Sequence, residues 1–281
     1  MDVPRSGTDD LASPGGAARL TTARRVRLRT VALPVEHGAW GFLLEPALLG
    51  LLVAWSSAGV ALVIAGLAAI LLQTPLSQAL SDVRRRRVYP RTGLAWRFVA
   101  LYGIILVVAV AVAIALAGTP TILVPALIAA PLALGQLWFD AHGRAREFAP
   151  EVLGALAIGS LAACIAVAAG WGIVAALGLW ALLAARSVPT IAYVRARLRL
   201  ERGHAVDPRC VWAMHLLALA LVAVAVAFTD LAWLVLVPYV ALAGRAALGV
   251  SRQRVSVPAK VIGFRELGFG IALVAFLALV L

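Results

Sequence analysis

In the stretch VEHGAWGFLLEPALLGLLVAW, residues 35–55, Glu45 stands among apolar residues and is followed at once by Pro46. His37, Gly41 and Glu45 recur at intervals of four, so a helix would carry them on one face. A second helical pattern runs through Arg186, Thr190, Tyr193 and Arg197, at intervals of four, three and four. A third comprises Thr74, Gln78, Ser81 and Arg85, next to Asp82. A fourth comprises Asp140, Arg144, Glu147 and Glu151. The guanidinium is a planar fork that fits phosphate or carboxylate oxygens. Arg85, Arg186 and Arg197, with His37, Gln78 and Thr190, are therefore candidates for binding an anionic head group, and Asp140 and Glu147 are substrate-site candidates that would have to act with Asp82 as a single metal site. Glu45 is the candidate proton acceptor or orienting group for Arg186, Asp82 is a single acid nearby, and Tyr193 is a phenol able to orient the head group.

The elements that position these residues follow from composition. Of the 281 residues, 63% are hydrophobic and 14% charged, too few polar side chains to cover a water-soluble core of this size. The chain reads as an integral membrane protein. Apolar runs at 39–56, 59–80, 96–117, 120–139, 151–168, 172–196, 210–228, 230–249 and 261–281 each approach the roughly 20 residues that a helix needs to cross hydrocarbon. The expected fold is all-α, a polytopic membrane helical bundle of about nine transmembrane helices. The split between the seventh and eighth rests on FTD at 228–230.

Charge placement gives an independent reading of the topology. All 25 Lys and Arg residues fall on the side of the N-terminal tail and the even-numbered connections, or in the helix halves nearest it. The odd-numbered connections carry none. The positive-inside rule places the basic side and the N-terminus in the cytoplasm, and the C-terminus outside. The net charge of +12 is thus a topology signal. It is spread over five segments and not gathered on a soluble domain, which excludes nucleic acid as the expected partner. Residues 1–33, rich in Gly, Ser, Pro, Thr and Arg, read as a disordered basic tail without a secretory signal peptide, and 34–281 as a single transmembrane domain.

Depth ranks the ionisable residues. One at the centre of a span costs about 2.5 to 3.5 kcal/mol on insertion scales. Glu45 is some seven residues, roughly 10 Å, inside its span, too deep for a glutamate to reach water. Arg186, midway along the sixth span, is its natural partner; Pro189 one turn on would kink that helix. Two readings stand for the pair: a structural bridge between helices, or part of a site. The run of four arginines at 84–87 serves topology or phosphate recognition. Pro150 and Glu151 also suit the first turn of a helix irrespective of any site. Arg195, Arg199 and Arg202 lie off the stripe and read as head-group anchors. Arg265 can snorkel, whereas Glu266 cannot easily do so. Neither the two cysteines nor the histidines have ligand-spaced partners.

HGAWGFLLEP at 37–46, YPRT at 89–92, ARSVPTIAYVRARLRLERG at 185–203 and KVIGFRE at 260–266 resemble the YwiC-like family of bacterial membrane proteins. That resemblance implies a multi-pass protein of the bacterial inner membrane without implying an activity. More distantly, nine helices with polar connections after the second, fourth and sixth are similar to the UbiA-type intramembrane prenyltransferases. There, two aspartate-rich motifs hold magnesium ions that bind an isoprenyl diphosphate. The corresponding segments here, QALSDVRRRRVYP and YVRARLRLERG, keep Asp82 alone, so magnesium would be poorly held. The expectation is a cavity open to the cytoplasm, lined by Glu45, Gln78, Asp82, Arg186, Tyr193 and Arg197, that binds a membrane lipid, an isoprenoid or other lipid phosphate, and transfers or modifies its head group. The alternatives are a transporter of a small anionic or organic solute, for which Pro46, Pro131, Pro189 and Pro238 would permit broken helices, and a non-catalytic assembly subunit.

Overall fold

The computed structural model describes residues 38–281; the basic tail and His37 lie outside them. Among the described residues nine helices follow in order: α1 (Gly38–Val53), α2 (Ser57–Arg84), α3 (Thr92–Ala117), α4 (Val124–Ala141), α5 (Phe148–Ala168), α6 (Ile173–Glu201), α7 (Arg209–Phe228), α8 (Leu236–Gly249) and α9 (Ala259–Val280). Short 3₁₀ turns at Pro120–Leu123 and Trp233–Val235 lead into α4 and α8. There is no strand among the described residues. Seven helices among the described residues have the length and apolarity to cross a membrane; α1 and α8 are shorter apolar helices.

Caps explain where the helices stop. Ser56 opens α2 by accepting a 2.9 Å hydrogen bond from the Gly59 amide. Gly118, at φ +69°, closes α3 in the left-handed conformation. The break at FTD is real: α7 ends at Phe228 and Thr229 is extended. Pro46, Pro131 and Pro189 sit inside α1, α4 and α6, each of which runs on through its proline, and Pro238 falls in the first turn of α8. The prolines do not break these helices.

Side chains show that the even-numbered connections share one end. Arg84 at the end of α2 donates to the Ala141 carbonyl at the end of α4 (3.3 Å). Arg195 near the end of α6 donates to the Arg146 carbonyl between α4 and α5 (3.0 Å). Arg197 donates to the Gly249 carbonyl at the end of α8 (2.6 Å) and to the Val255 carbonyl beyond it. Each helix pair thus goes out and returns, the short α8 included. Exposed tryptophans mark both ends: Trp40, Trp96, Trp138 and Trp212 near the basic end, Trp55 and Trp233 at the other. This is the placement of interfacial aromatic belts. Between them α3 turns Leu101, Ile104, Val107, Val108 and Leu116 outward, where only lipid makes such a surface tolerable.

The interior is built on α1, α5, α6 and α9. Leu49, Ala162, Ala163, Ala166, Leu179, Leu183, Leu273 and Leu277 form one buried cluster. Small residues let the backbones approach: a Cβ on Gly50 would lie 2.9 Å from Ile165 Cδ1 and 3.2 Å from Ala162 Cα. In contrast, α9 packs broadly on α1 but only sparsely on α6 and α8. Long polar side chains fill that wedge.

The topology has a direct test. In a Cys210→Ala background, cysteines placed at Ser57 or Thr119 should react with a membrane-impermeant maleimide from outside intact cells. One at Arg252 should react only after permeabilisation; the reverse pattern would invert the orientation.

Candidate functional site

Glu45 and Arg186 do meet. Glu45 Oε1 lies 2.8 Å from Arg186 Nη2, with side chains 6% and 2% exposed. Arg186 is about 22 Å along α6 from its basic end at the helical rise. The same nitrogen donates to the Glu266 carbonyl of α9 (3.0 Å), so one guanidinium ties three helices together. Gly270 makes this approach possible: any Cβ there would strike the Glu45 carboxylate and the Arg186 guanidinium.

A second pair sits nearer the basic end. Arg245 of α8 is paired with the Glu266 carboxylate of α9. Its guanidinium lies over the rings of Tyr193 (4.1 Å) and Phe269 (5.2 Å), a cation–π environment that lessens the cost of burying the charge. A third pair completes the series: Arg197 lies 2.8 Å from Glu201, whose other oxygen accepts from the Ser256 hydroxyl (2.5 Å). Within this network three guanidiniums face three carboxylates. Arg254, whose Nε is also buried without a partner, acts on Glu201 from the segment beyond α8, so arginines outnumber carboxylates, and their hydrogen-bonding capacity is not filled. Arg186 Nε, Arg245 Nε and Nη2, Thr190 Oγ1 and His215 Nε2 are buried without a hydrogen-bond partner. His215 uses its Nδ1 on the Val211 carbonyl (2.9 Å). Such atoms are costly where no water reaches them.

The expected stripe is therefore present: Arg186, Thr190, Tyr193 and Arg197 are all buried on the inward side of α6. The remaining candidates lie elsewhere. Asp82, 1% exposed, accepts from Thr92 Oγ1 (2.7 Å) and pairs with Arg91 (3.3 Å), which fastens the corner between α2 and α3. Asp140 accepts from Gln73 Nε2 (2.8 Å). Gln78 is half-buried on α2, and Arg85 is exposed just beyond its end. Glu147 pairs with Arg144 at the surface (2.6 Å), and this hydrogen bond holds its carboxyl below the ordinary value. Glu151 pairs with Arg195 (2.8 Å), so Arg195 is a tie between α5 and α6 and not a free head-group anchor.

Magnesium finds a poor fit. Both Asp82 oxygens are engaged by Thr92 and Arg91, and among the described residues no three His, Cys, Asp or Glu converge. Cys164 is buried and Cys210 exposed, both free.

Sequence reasoning passed over Arg245, because an arginine so near the basic end of its span looks like a topology residue. Glu266 carried a signal in its depth, but its partner was hidden by the fold.

Residues 33–166 match the family model described as YwiC-like protein. The resemblance carried by HGAW and YPRT is shown over that stretch, α1 to nearly the end of α5. No curated protein and no solved structure matches the chain.

Removing one member of the deepest pair leaves a charge alone in an apolar interior. Arg186→Met should cost about 3 to 5 kcal/mol, and adding Glu45→Leu should recover much of it. The midpoint of thermal unfolding of the purified single and double variants measures both.

Proposed function

We propose that this protein binds an amphipathic lipid phosphate, an isoprenoid phosphate in the first instance, from the cytoplasmic face of a bacterial inner membrane. One observation carries the reading: buried guanidinium donors of Arg186 and Arg245 lack acceptors, beside Thr190 and His215, on facing helices. Donors of this kind fit the oxygen-rich surface of a phosphate. The wedge between α6, α8 and α9 is closed by side chains more than by helix packing, so an anion entering there displaces side chains and leaves the backbone in place. Tyr193 would orient the head group against Arg245. Glu45 would hold Arg186 in place as a positioning residue or accept a proton from a bound hydroxyl. The nine helices, with polar connections after the second, fourth and sixth, support a likeness to UbiA-type prenyltransferases. The chemistry differs from theirs, because arginine and not an aspartate-held metal would neutralise the phosphate.

The pairing of Arg186, Arg245 and Arg197 with Glu45, Glu266 and Glu201 favours a second reading, in which the pairs do nothing beyond holding the helices together. Binding separates the two. Farnesyl phosphate added to the purified protein in nanodiscs should bind with a micromolar or tighter Kd by calorimetry. Arg245→Gln should weaken it by about tenfold or more, the loss of one charge-assisted contact of about 1.5 to 3 kcal/mol. Absence of binding by farnesyl phosphate, farnesyl diphosphate and the methyl ester of farnesyl phosphate would leave the structural reading in possession.

A further inference from the structure

Between residues 82 and 91, the corner from α2 to α3 carries five arginines against a single aspartate, Asp82. The outermost two are engaged: Arg84 with the Ala141 carbonyl and Arg91 with Asp82. Arg85, Arg86 and Arg87 between them are exposed. None of the three has a side-chain hydrogen bond or a carboxylate partner among the described residues.

The backbone holds these three in a turn that arginine does not favour. The Arg86 amide donates to the Val83 carbonyl (2.9 Å) and the Arg87 amide to the Asp82 carbonyl (3.1 Å), the paired bonds of a Schellman ending. Arg86 is its left-handed residue, at φ +51°. Every other described residue at positive φ is a glycine: Gly118, Gly143, Gly170 and Gly203. Glycine enters that region without steric cost and arginine does not, so Arg86 lowers the stability of the turn while its guanidinium makes no hydrogen bond or ion pair in return. Such strain persists where the surroundings enforce it, and it collects at binding sites. Here Asp82 enforces it. Its carbonyl receives Arg87, its carboxylate holds Thr92 Oγ1 (2.7 Å) and Arg91 (3.3 Å), and the same Thr92 oxygen accepts from the Tyr89 amide (3.0 Å).

We propose that this corner is a second lipid site, in which Arg85, Arg86 and Arg87 bind the head group of a phospholipid bearing two phosphates, in the leaflet at the basic end of the molecule. It is separate from the wedge of α6, α8 and α9 and does not rest on the reading given there. Position selects a lipid. Trp96 stands exposed early in α3, and Arg84 ties the corner to the end of α4, where Trp138 is exposed; tryptophans so placed mark the head-group layer. Val83 and Val88, on either side of the arginines, are 60% and 90% exposed. A soluble polyanion would give the arginines phosphate and leave both valines in water, whereas a lipid serves both. Charge selects the head group. Each guanidinium fork takes a phosphate through two parallel bonds, and three unpaired positive charges exceed the single charge of one phosphodiester, so two phosphates on one head group match them better.

The test ranks lipids on the purified full chain in detergent by native mass spectrometry. Tetraoleoyl cardiolipin should bind more tightly than dioleoylphosphatidylglycerol, and that more tightly than dioleoylphosphatidylcholine. Arg87→Gln should weaken cardiolipin about fivefold, the effect of one basic residue beside an anionic surface. Arg252→Gln removes an exposed arginine elsewhere at the same end and should change nothing. Arg86→Gly separates recognition from structure. Glycine relaxes the left-handed turn, so this variant should unfold at no lower a temperature than the wild type without lipid, yet bind cardiolipin about fivefold more weakly. Equal losses in Arg87→Gln and Arg252→Gln would reduce the corner to general surface charge and overturn the site. Lower stability of Arg86→Gly would overturn the claim that arginine is held there for its charge. Displacement of bound cardiolipin by glycerol phosphate would assign the corner to a soluble anion, and equal binding of the three lipids would remove the proposal altogether.

Discussion

A guanidinium placed at mid-membrane depth must have a carboxylate beside it, and that requirement organises the interior of this protein. Arg186 lies too deep in α6 for its side chain to reach water, so α1 must bring Glu45 to it and α9 must supply a carbonyl. The resulting contact fixes the mutual rotation of three helices more tightly than apolar packing would, because lipid competes for apolar surface but offers nothing to an ion. Gly270 is the price of this arrangement: α9 carries no side chain where the two charges meet.

The rest of the bundle serves that constraint in different ways. Small residues at Gly50, Ala162, Ala163 and Ala166 bring α1 and α5 close enough to support Glu45 from behind. The α2–α3 corner, fastened by Asp82, Thr92 and Arg91, is a separate polar lock. Arg197 reaches across to Gly249 and Val255 and fastens the segment between α8 and α9 over the end of the wedge. The residues matched by the YwiC-like model contain Glu45 and the α2–α3 corner, while Arg186, Arg197, Arg245 and Glu266 lie beyond them. Half of the deepest contact therefore comes from each part of the chain.

Ion pairs that leave guanidinium hydrogen-bonding capacity unfilled carry a cost in a membrane interior. A purely structural network gains nothing from buried donors without acceptors, and each such atom lowers stability. A binding site gains from them, since they are organised in advance of the ligand and need not be freed from water. These donors without acceptors tie the geometry to the lipid-phosphate reading.

Helix count and placement were legible in the sequence, because hydropathy and arginine distribution are local properties that the bilayer reads directly. Spacing along α6 likewise showed which side of that helix would face inward, and depth identified Glu45 and Arg186 as partners. Asp82 was misleading in that respect: its neighbours in sequence, Thr92 and Arg91, satisfy it, and no periodicity within α2 reports a bond across a corner. Arg245 was invisible for a related reason. An arginine about a turn from a helix end is cheap if it snorkels and costly if it turns inward, and the sequence of α8 is the same in either case. Which of the two occurs depends on Glu266, Tyr193 and Phe269 arriving from other helices. The sequence alone thus determined which segments cross the membrane and which charges lie too deep to be alone; only the tertiary structure decided their partners, because an ion pair depends on where two side chains meet in space and not on where they stand in the chain.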